Sequence, residues 1–96
     1  MKDNVLKEKA IEFAVRIVNF YKFLTEEKKE FVMSKQVLRA GTSIGANIAE
    51  SVRAESDADF IHKLSISRKE GEETLYWLEL LQRTGYISTE QYSSMQ

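Results

Sequence analysis

The sequence contains no cysteine and no proline, and only four of its 96 residues are glycine. Without cysteine, the chain has no disulfide, no thiolate zinc site and no cysteine nucleophile. Proline and glycine make a chain turn, so their scarcity favours long helices over a sandwich of many short strands. The composition therefore predicts an all-α fold, and the length allows one helical bundle domain, residues 1–96.

Residues that carry catalysis or bind metals are equally scarce. His62 is the single histidine, so multi-histidine metal sites are excluded. Di-metal helical bundles use Glu-x-x-His pairs on two helices, and the nearest approaches here are Asp59-x-x-His62 and Glu70-x-x-Glu73. No nucleophile elbow surrounds a serine, and no glycine-rich loop follows a strand. We expect no enzymatic activity, no catalytic residue, no metal site, no cofactor and no small-molecule substrate.

Positive and negative charges nearly balance along the chain. There are 14 Lys and Arg against 15 Asp and Glu, for a net charge of -1, which gives no bulk attraction to nucleic acid. No apolar run approaches the ~20 residues of a transmembrane helix. The first four residues lead into an amphipathic segment and not into a signal peptide. We therefore expect a cytoplasmic protein with no membrane partner.

Apolar side chains recur every three or four residues in three long segments, which is the helical period. The first helix is predicted from about Asn4 to Phe23, with Asp3 or Asn4 as its N-cap. The second is predicted to begin near Thr25, also as an N-cap. The side chains expected to face a neighbour in the second helix are Phe31, Ser34, Leu38, Gly41, Gly45, Ile48 and Val52.

The first helix has an unusually wide apolar stripe. Its main stripe consists of Leu6, Ala10, Phe13, Ile17, Phe20 and Leu24, and four further residues widen it, namely Val5, Ala14, Val18 and Tyr21. A helix that packs on one neighbour needs only a narrow stripe. We therefore expect this helix to contact more than one neighbour.

Capping signals mark the last two helices. Ser56, with Asp59 three residues later, predicts the start of the third helix, and Gly85 is a suitable glycine just beyond its end. Ser88 and Gln91 form a second capping box, so a fourth helix is predicted from about residue 89. Only residues 89–96 remain for it, so either this helix is cut short or its end frays.

Small residues are dense in the segment SKQVLRAGTSIGANIAE, residues 34–50. Glycine in a helix costs about 1 kcal/mol relative to alanine, so Gly41 and Gly45 need a reason. With Ala49 they recur every four residues and would leave a groove for another helix. The alternative is a loop at residues 41–43, but the helical phase continues through both glycines and favours the groove.

Polar side chains run beside this groove and along the third helix. They are Gln36, Ser43, Asn47 and Glu50 on the second helix, and Lys63, Ser67, Glu70 and Thr74 on the third. An antiparallel hairpin about residue 55 would place Gly41 opposite Glu70 and Gly71. It would also form the pairs Asn47–Lys63, Ser43–Ser67 and Gln36–Thr74. Such a ladder would fix the register of the two helices, whereas the alternative is that these side chains face solvent.

Two groups of residues could make contacts outside the bundle. Arg39, Arg53 and Arg68 could form a positive surface when repeated around an oligomer, although interleaved acids favour an ordinary solvated face. Trp77 and Tyr76 are adjacent and point about 100° apart on a helix. One should pack in the core, and the other should meet a neighbouring subunit or water.

The segments SKQVLRAGTSIGANIAES and DFIHKLSISRKEGEETLYWLELL closely resemble the bacterial four helix bundle protein family. This family is also called S23 ribosomal protein or 23S rRNA intervening-sequence protein, and the resemblance covers the first three helices. The residues on its motif positions are Ser34, Gln36, Arg39, Ser43, Ile44, Asn47, Ile48, Ala49, Glu50, Phe60, Leu64, Glu70, Thr74, Trp77 and Leu78. Family members usually have a full fourth helix, and this sequence departs from that pattern at its C-terminus.

The resemblance implies an up-down antiparallel four-helix bundle, here with three long helices and a short or truncated fourth. It also implies a ring-like homo-oligomer, often a pentamer, without enzymatic activity. The family is similar to the accessory protein of diversity-generating retroelements, which binds a reverse transcriptase and nucleic acid. We predict a bacterial, non-enzymatic interaction protein that forms a homo-oligomer. The alternative is an accessory protein that binds nucleic acid through a basic face of the oligomer, formed by Arg39, Arg53 and Arg68. Besides itself, the chain could have a weakly bound nucleic acid or another protein as a partner. The predicted helix-packing or interface residues are Gln36, Gly41, Ser43, Gly45, Asn47, Glu50, Ser67, Glu70, Gly71, Thr74 and Trp77.

Overall fold

Four helices make up most of the chain in the computed structural model, which describes residues 2–96 and the side chains of residues 5–96. They are α1 (Lys2–Glu26), α2 (Met33–Ser51), α3 (Asp57–Arg83) and α4 (Thr89–Met95). No strand occurs in residues 2–96, so the all-α prediction is confirmed. The predicted capping of α1 by Asp3 or Asn4 concerns side chains outside the described ones.

Helix α2 is the central element of the bundle. It packs against both α1 and α3, and α4 packs against α3. Gly45 of α2 lies against Ala10 of α1, and Gly41 lies against Ile17, so these two helices run antiparallel. The molecule measures 43 × 21 × 21 Å. The predicted up-down arrangement of three long helices and a short fourth is confirmed.

The fully buried apolar side chains gather toward one end of the bundle. This end contains the last turns of α1 and α3 and the first turns of α2 and α4. The core consists of Ile17, Phe20, Leu24, Val37, Leu78, Leu81 and Ile87, and Tyr92 and Met95 of α4 pack against it. At the opposite end, where no α4 residue reaches the core face, Leu6, Phe60 and Leu64 are exposed.

The connection between α1 and α2 lies later in the chain than the sequence predicted. Thr25 is inside α1, and its hydroxyl donates to the carbonyl oxygens of Tyr21 at 3.1 Å and Lys22 at 3.2 Å. The prediction that α2 begins near Thr25 is therefore wrong. A threonine hydroxyl inside a helix can bond a carbonyl one turn back, so Thr-Glu-Glu suits the end of a helix as well as its start. Phe31 and Val52 consequently lie outside α2.

The buried side chain of Glu30 caps the start of α2, in place of the predicted N-cap Thr25. Lys29 adopts a left-handed backbone conformation with φ 54°, which reverses the chain after α1. Glu30 is 7% exposed, and its carboxylate accepts from three backbone N–H groups at the start of α2 (Val32 at 3.2 Å, Met33 at 3.0 Å and Ser34 at 2.6 Å). These N–H groups have no intrahelical acceptor, so Glu30 supplies the cap.

The capping residues of α3 and α4 are confirmed. The Ser56 hydroxyl accepts from the Asp59 backbone N–H at 3.1 Å. Gly85 follows α3 with φ 87°, a conformation that glycine adopts at little cost. At the start of α4, Ser88 and Gln91 form both hydrogen bonds of a capping box.

Candidate protein-interaction surface

The glycine groove of α2 is occupied by α1. A Cβ atom at Gly41 would lie 2.8 Å from the Ile17 side chain, and one at Gly45 would lie 2.9 Å from the carbonyl oxygen of Ala10. The predicted close approach of helices is confirmed, and the loop alternative is wrong because α2 is continuous through both glycines. This groove belongs to the fold and is not available to a partner.

The polar residues between α2 and α3 confirm the antiparallel register but not the predicted pairs. The Ser67 hydroxyl crosses between the helices and donates to the carbonyl oxygen of Ile44 at 3.0 Å. Ser43, Asn47 and Thr74 instead donate to carbonyl oxygens four residues earlier in their own helices. The predicted ladder is wrong because these short side chains reach a backbone acceptor on their own helix first. The solvent-facing alternative is also wrong for Ser67 and Thr74, which are buried.

The predicted meeting of Gly41 with Glu70 and Gly71 is wrong as well. Gly41 faces α1, whereas the atom nearest to a Cβ at Gly71 would be Ile44 Cδ1 at 3.8 Å. The glycine face of α2 is turned toward α1, so it cannot also meet α3.

Lys63 pairs with Glu50 and not with the predicted Asn47, and the charged atoms of this pair are 3.7 Å apart.

Arg39 lies at the centre of a polar cluster that joins α2 to α3. Its guanidinium donates to Glu70 at 3.2 Å, to Glu73, and to the Gln36 side chain at 3.4 Å. The Trp77 indole N–H also donates to Glu73, at 3.1 Å. Single exposed ion pairs contribute little, but a cation shared by two carboxylates forms a network. Arg39 is thus a register contact, and its charge is balanced by two carboxylates.

The three candidate arginines are not gathered into one site. Arg53 lies in the turn after α2 and Arg68 on α3, and both are exposed. Within residues 5–96 neither one forms an ion pair. At ~1.5 Å per helical residue, Arg39 lies about 18 Å from the end of α2 at Ser51, and Arg53 lies beyond that end. Two arginines therefore remain available to anions, and the third does not.

The adjacent aromatic residues point in different directions, as predicted. Trp77 packs against the core. Tyr76 is exposed and makes an edge-on contact with Trp77, with ring centroids 5.1 Å apart. Tyr76 is thus available for a contact with water or with another chain.

Helix α1 has a second apolar face turned away from the core. Ile11, Val15 and Val18 are 59%, 52% and 37% exposed, and their spacing places them on one side of the helix. We call these three residues the outer face of α1. Val18 was among the residues predicted to widen the apolar stripe of α1, whereas Ile11 and Val15 were not recognised from the sequence. Their spacing at i, i+4 and i+7 was the signal that could have found them.

The part of the chain that the structure describes contains neither a membrane-spanning helix nor a cluster of metal-binding side chains. No helix within it has the combination of length and apolar character that a membrane crossing requires. Its side chains also include no group of three or more His, Asp or Glu placed to hold a metal ion.

Comparisons with known proteins agree with this architecture. The sequence model of the family described as 23S rRNA-intervening sequence protein matches residues 2–96. A solved protein of unknown function from Bacteroides thetaiotaomicron, placed in the S23 ribosomal protein family, is 69% identical with a TM-score of 0.92. The match covers 99% of this chain and 85% of that one. No curated protein matches the chain.

Proposed function

This chain belongs to the 23S rRNA-intervening sequence protein family, and from that premise we propose that it works without catalysis, as a helical interaction module that assembles with copies of itself. The outer face of α1 is the observation that carries this proposal. The composition agrees with it, because a chain with no cysteine and one histidine has few groups suited to catalysis.

The outer face of α1 has the character of a protein interface. A helix at the surface of a monomer needs one apolar stripe, which in α1 already faces the core. Contiguous exposed apolar side chains on a soluble protein typically mark an interaction site. Complete burial of a Val or Ile side chain contributes about 1.5–3 kcal/mol, so covering the exposed parts of three such residues is a substantial driving force.

Identical copies are the simplest partners for this face. Homo-oligomers are the common form of assembly, and a contact between two different patches of the same chain closes into a ring when the rotation allows it. The resemblance described above makes five copies the expected number. We therefore propose a closed ring in which the outer face of α1 meets a neighbouring subunit.

Light scattering coupled to size exclusion tests the proposal. The chain has a mass of 11.1 kDa, and at micromolar concentration we expect the wild type to elute as a multiple of it. Val15→Asp places a charge in the outer face and should lower the mass. Ser65→Asp adds the same charge at an exposed polar position of α3, away from the outer face of α1, and should leave the mass unchanged. Circular dichroism should show equal helix content in both variants.

Two results would contradict the proposal, of which the first rejects self-assembly and the second rejects the contact through the outer face of α1. One is a wild-type mass of a single chain across the whole dilution range. The other is an unchanged mass for Val15→Asp, which would leave an assembly whose contacts lie elsewhere. A mass of two subunits would retain self-association but reject the ring.

Binding of nucleic acid is the alternative function, and it is favoured by Arg53 and Arg68, which are exposed and pair with no acid among residues 5–96. We propose that any such binding is weak and without sequence preference, because the net charge is -1. Phosphate contacts make affinity fall steeply with salt, so titrations at two salt concentrations measure this contribution. Tight binding of one defined RNA at physiological salt, lost in an Arg53→Ala/Arg68→Ala variant, would make nucleic-acid binding the central function.

A further inference from the structure

We draw no further inference here: the strongest candidate, the exposed apolar tip of the loop between α1 and α2 at Phe31 and Val32, carries nothing, because the charges of residues 26–29 before it cancel and nothing in the described part of the chain shows what covers it.

Discussion

Replacement of Glu30 by alanine should destabilise the protein more than any other change of an acidic side chain. Glu30 is the acidic residue that is buried in the described part of the chain, and its carboxylate caps α2 through three backbone N–H groups. Alanine at this position removes all three acceptor contacts at once. It leaves the first turn of the central helix without a cap.

The expected magnitude follows from the exposure of the three N–H groups. Val32 is exposed and Met33 partly so, and water can replace the carboxylate at these positions. Ser34 is buried, so its N–H would lose its partner, which costs about 1–3 kcal/mol. Loss of an N-cap adds about 1 kcal/mol. We therefore expect a loss of about 2–4 kcal/mol, which at ~4–8 °C per kcal/mol lowers Tm by at least about 8 °C.

Urea and thermal unfolding followed by far-UV circular dichroism measure this effect. Self-association adds to apparent stability and makes Tm depend on concentration, so all variants are compared at one protein concentration. Glu30→Gln keeps the size and one acceptor oxygen and should lose about half as much. Glu27→Ala is the matched control, because Glu27 is an exposed acid in the same loop, and it should change stability by no more than ~0.5 kcal/mol.

The reasoning would be refuted by a Glu30→Ala variant that unfolds within ~0.5 kcal/mol of the wild type. It would also be refuted if Glu27→Ala and Glu30→Ala had equal effects. Either result would mean that α2 begins without help from the buried carboxylate.

Further substitutions separate helix contacts from simple helix propensity. Gly45→Ala should destabilise the protein by about 1–3 kcal/mol, because the new Cβ meets the backbone of α1. Gly71→Ala should stabilise it by up to ~1 kcal/mol, because its Cβ has room in the middle of α3. Urea midpoints measure both effects. Ser67→Ala should cost about 1 kcal/mol through the lost bond to α2, and equal stability to the wild type would contradict that bond. Ser34→Ala should leave Tm unchanged or raise it, because the buried Ser34 hydroxyl has no hydrogen-bond partner among the described residues. Elemental analysis of the purified protein should find no stoichiometric iron, manganese or zinc, and a 1:1 metal content would contradict the absence of a metal site.

The sequence alone located those helix ends whose caps are formed by residues close together in the chain. Ser56, Gly85 and Ser88 were identified correctly because each cap is formed between residues at most a few positions apart. The small-residue face of α2 was also recognisable, since glycine repeated within a continuous helical phase has no local benefit. The all-α architecture followed from the same periodicity.

Tertiary structure decided what those features contact. The sequence could not show that Gly41 and Gly45 would meet α1, because a groove is open to any helix that the loops can bring to it. From the sequence, the polar side chains were predicted to pair across α2 and α3, whereas most of them donate to carbonyl oxygens of their own helix. The sequence also did not reveal Glu30, because a glutamate becomes a cap only when the chain reversal at Lys29 turns its carboxylate back onto α2.

The outer face of α1 likewise depends partly on the sequence and partly on the tertiary structure. The residues of the outer face of α1 can be read from the sequence as apolar positions, but an apolar position does not state which neighbour it faces. Only the packing of α1 on α2 shows that Ala10 and Ile17 are covered while Ile11 and Val15 are exposed. Burial depends on the positions of all the helices together, and for that reason periodicity predicted the helices, whereas only the three-dimensional packing identified the exposed apolar face of α1.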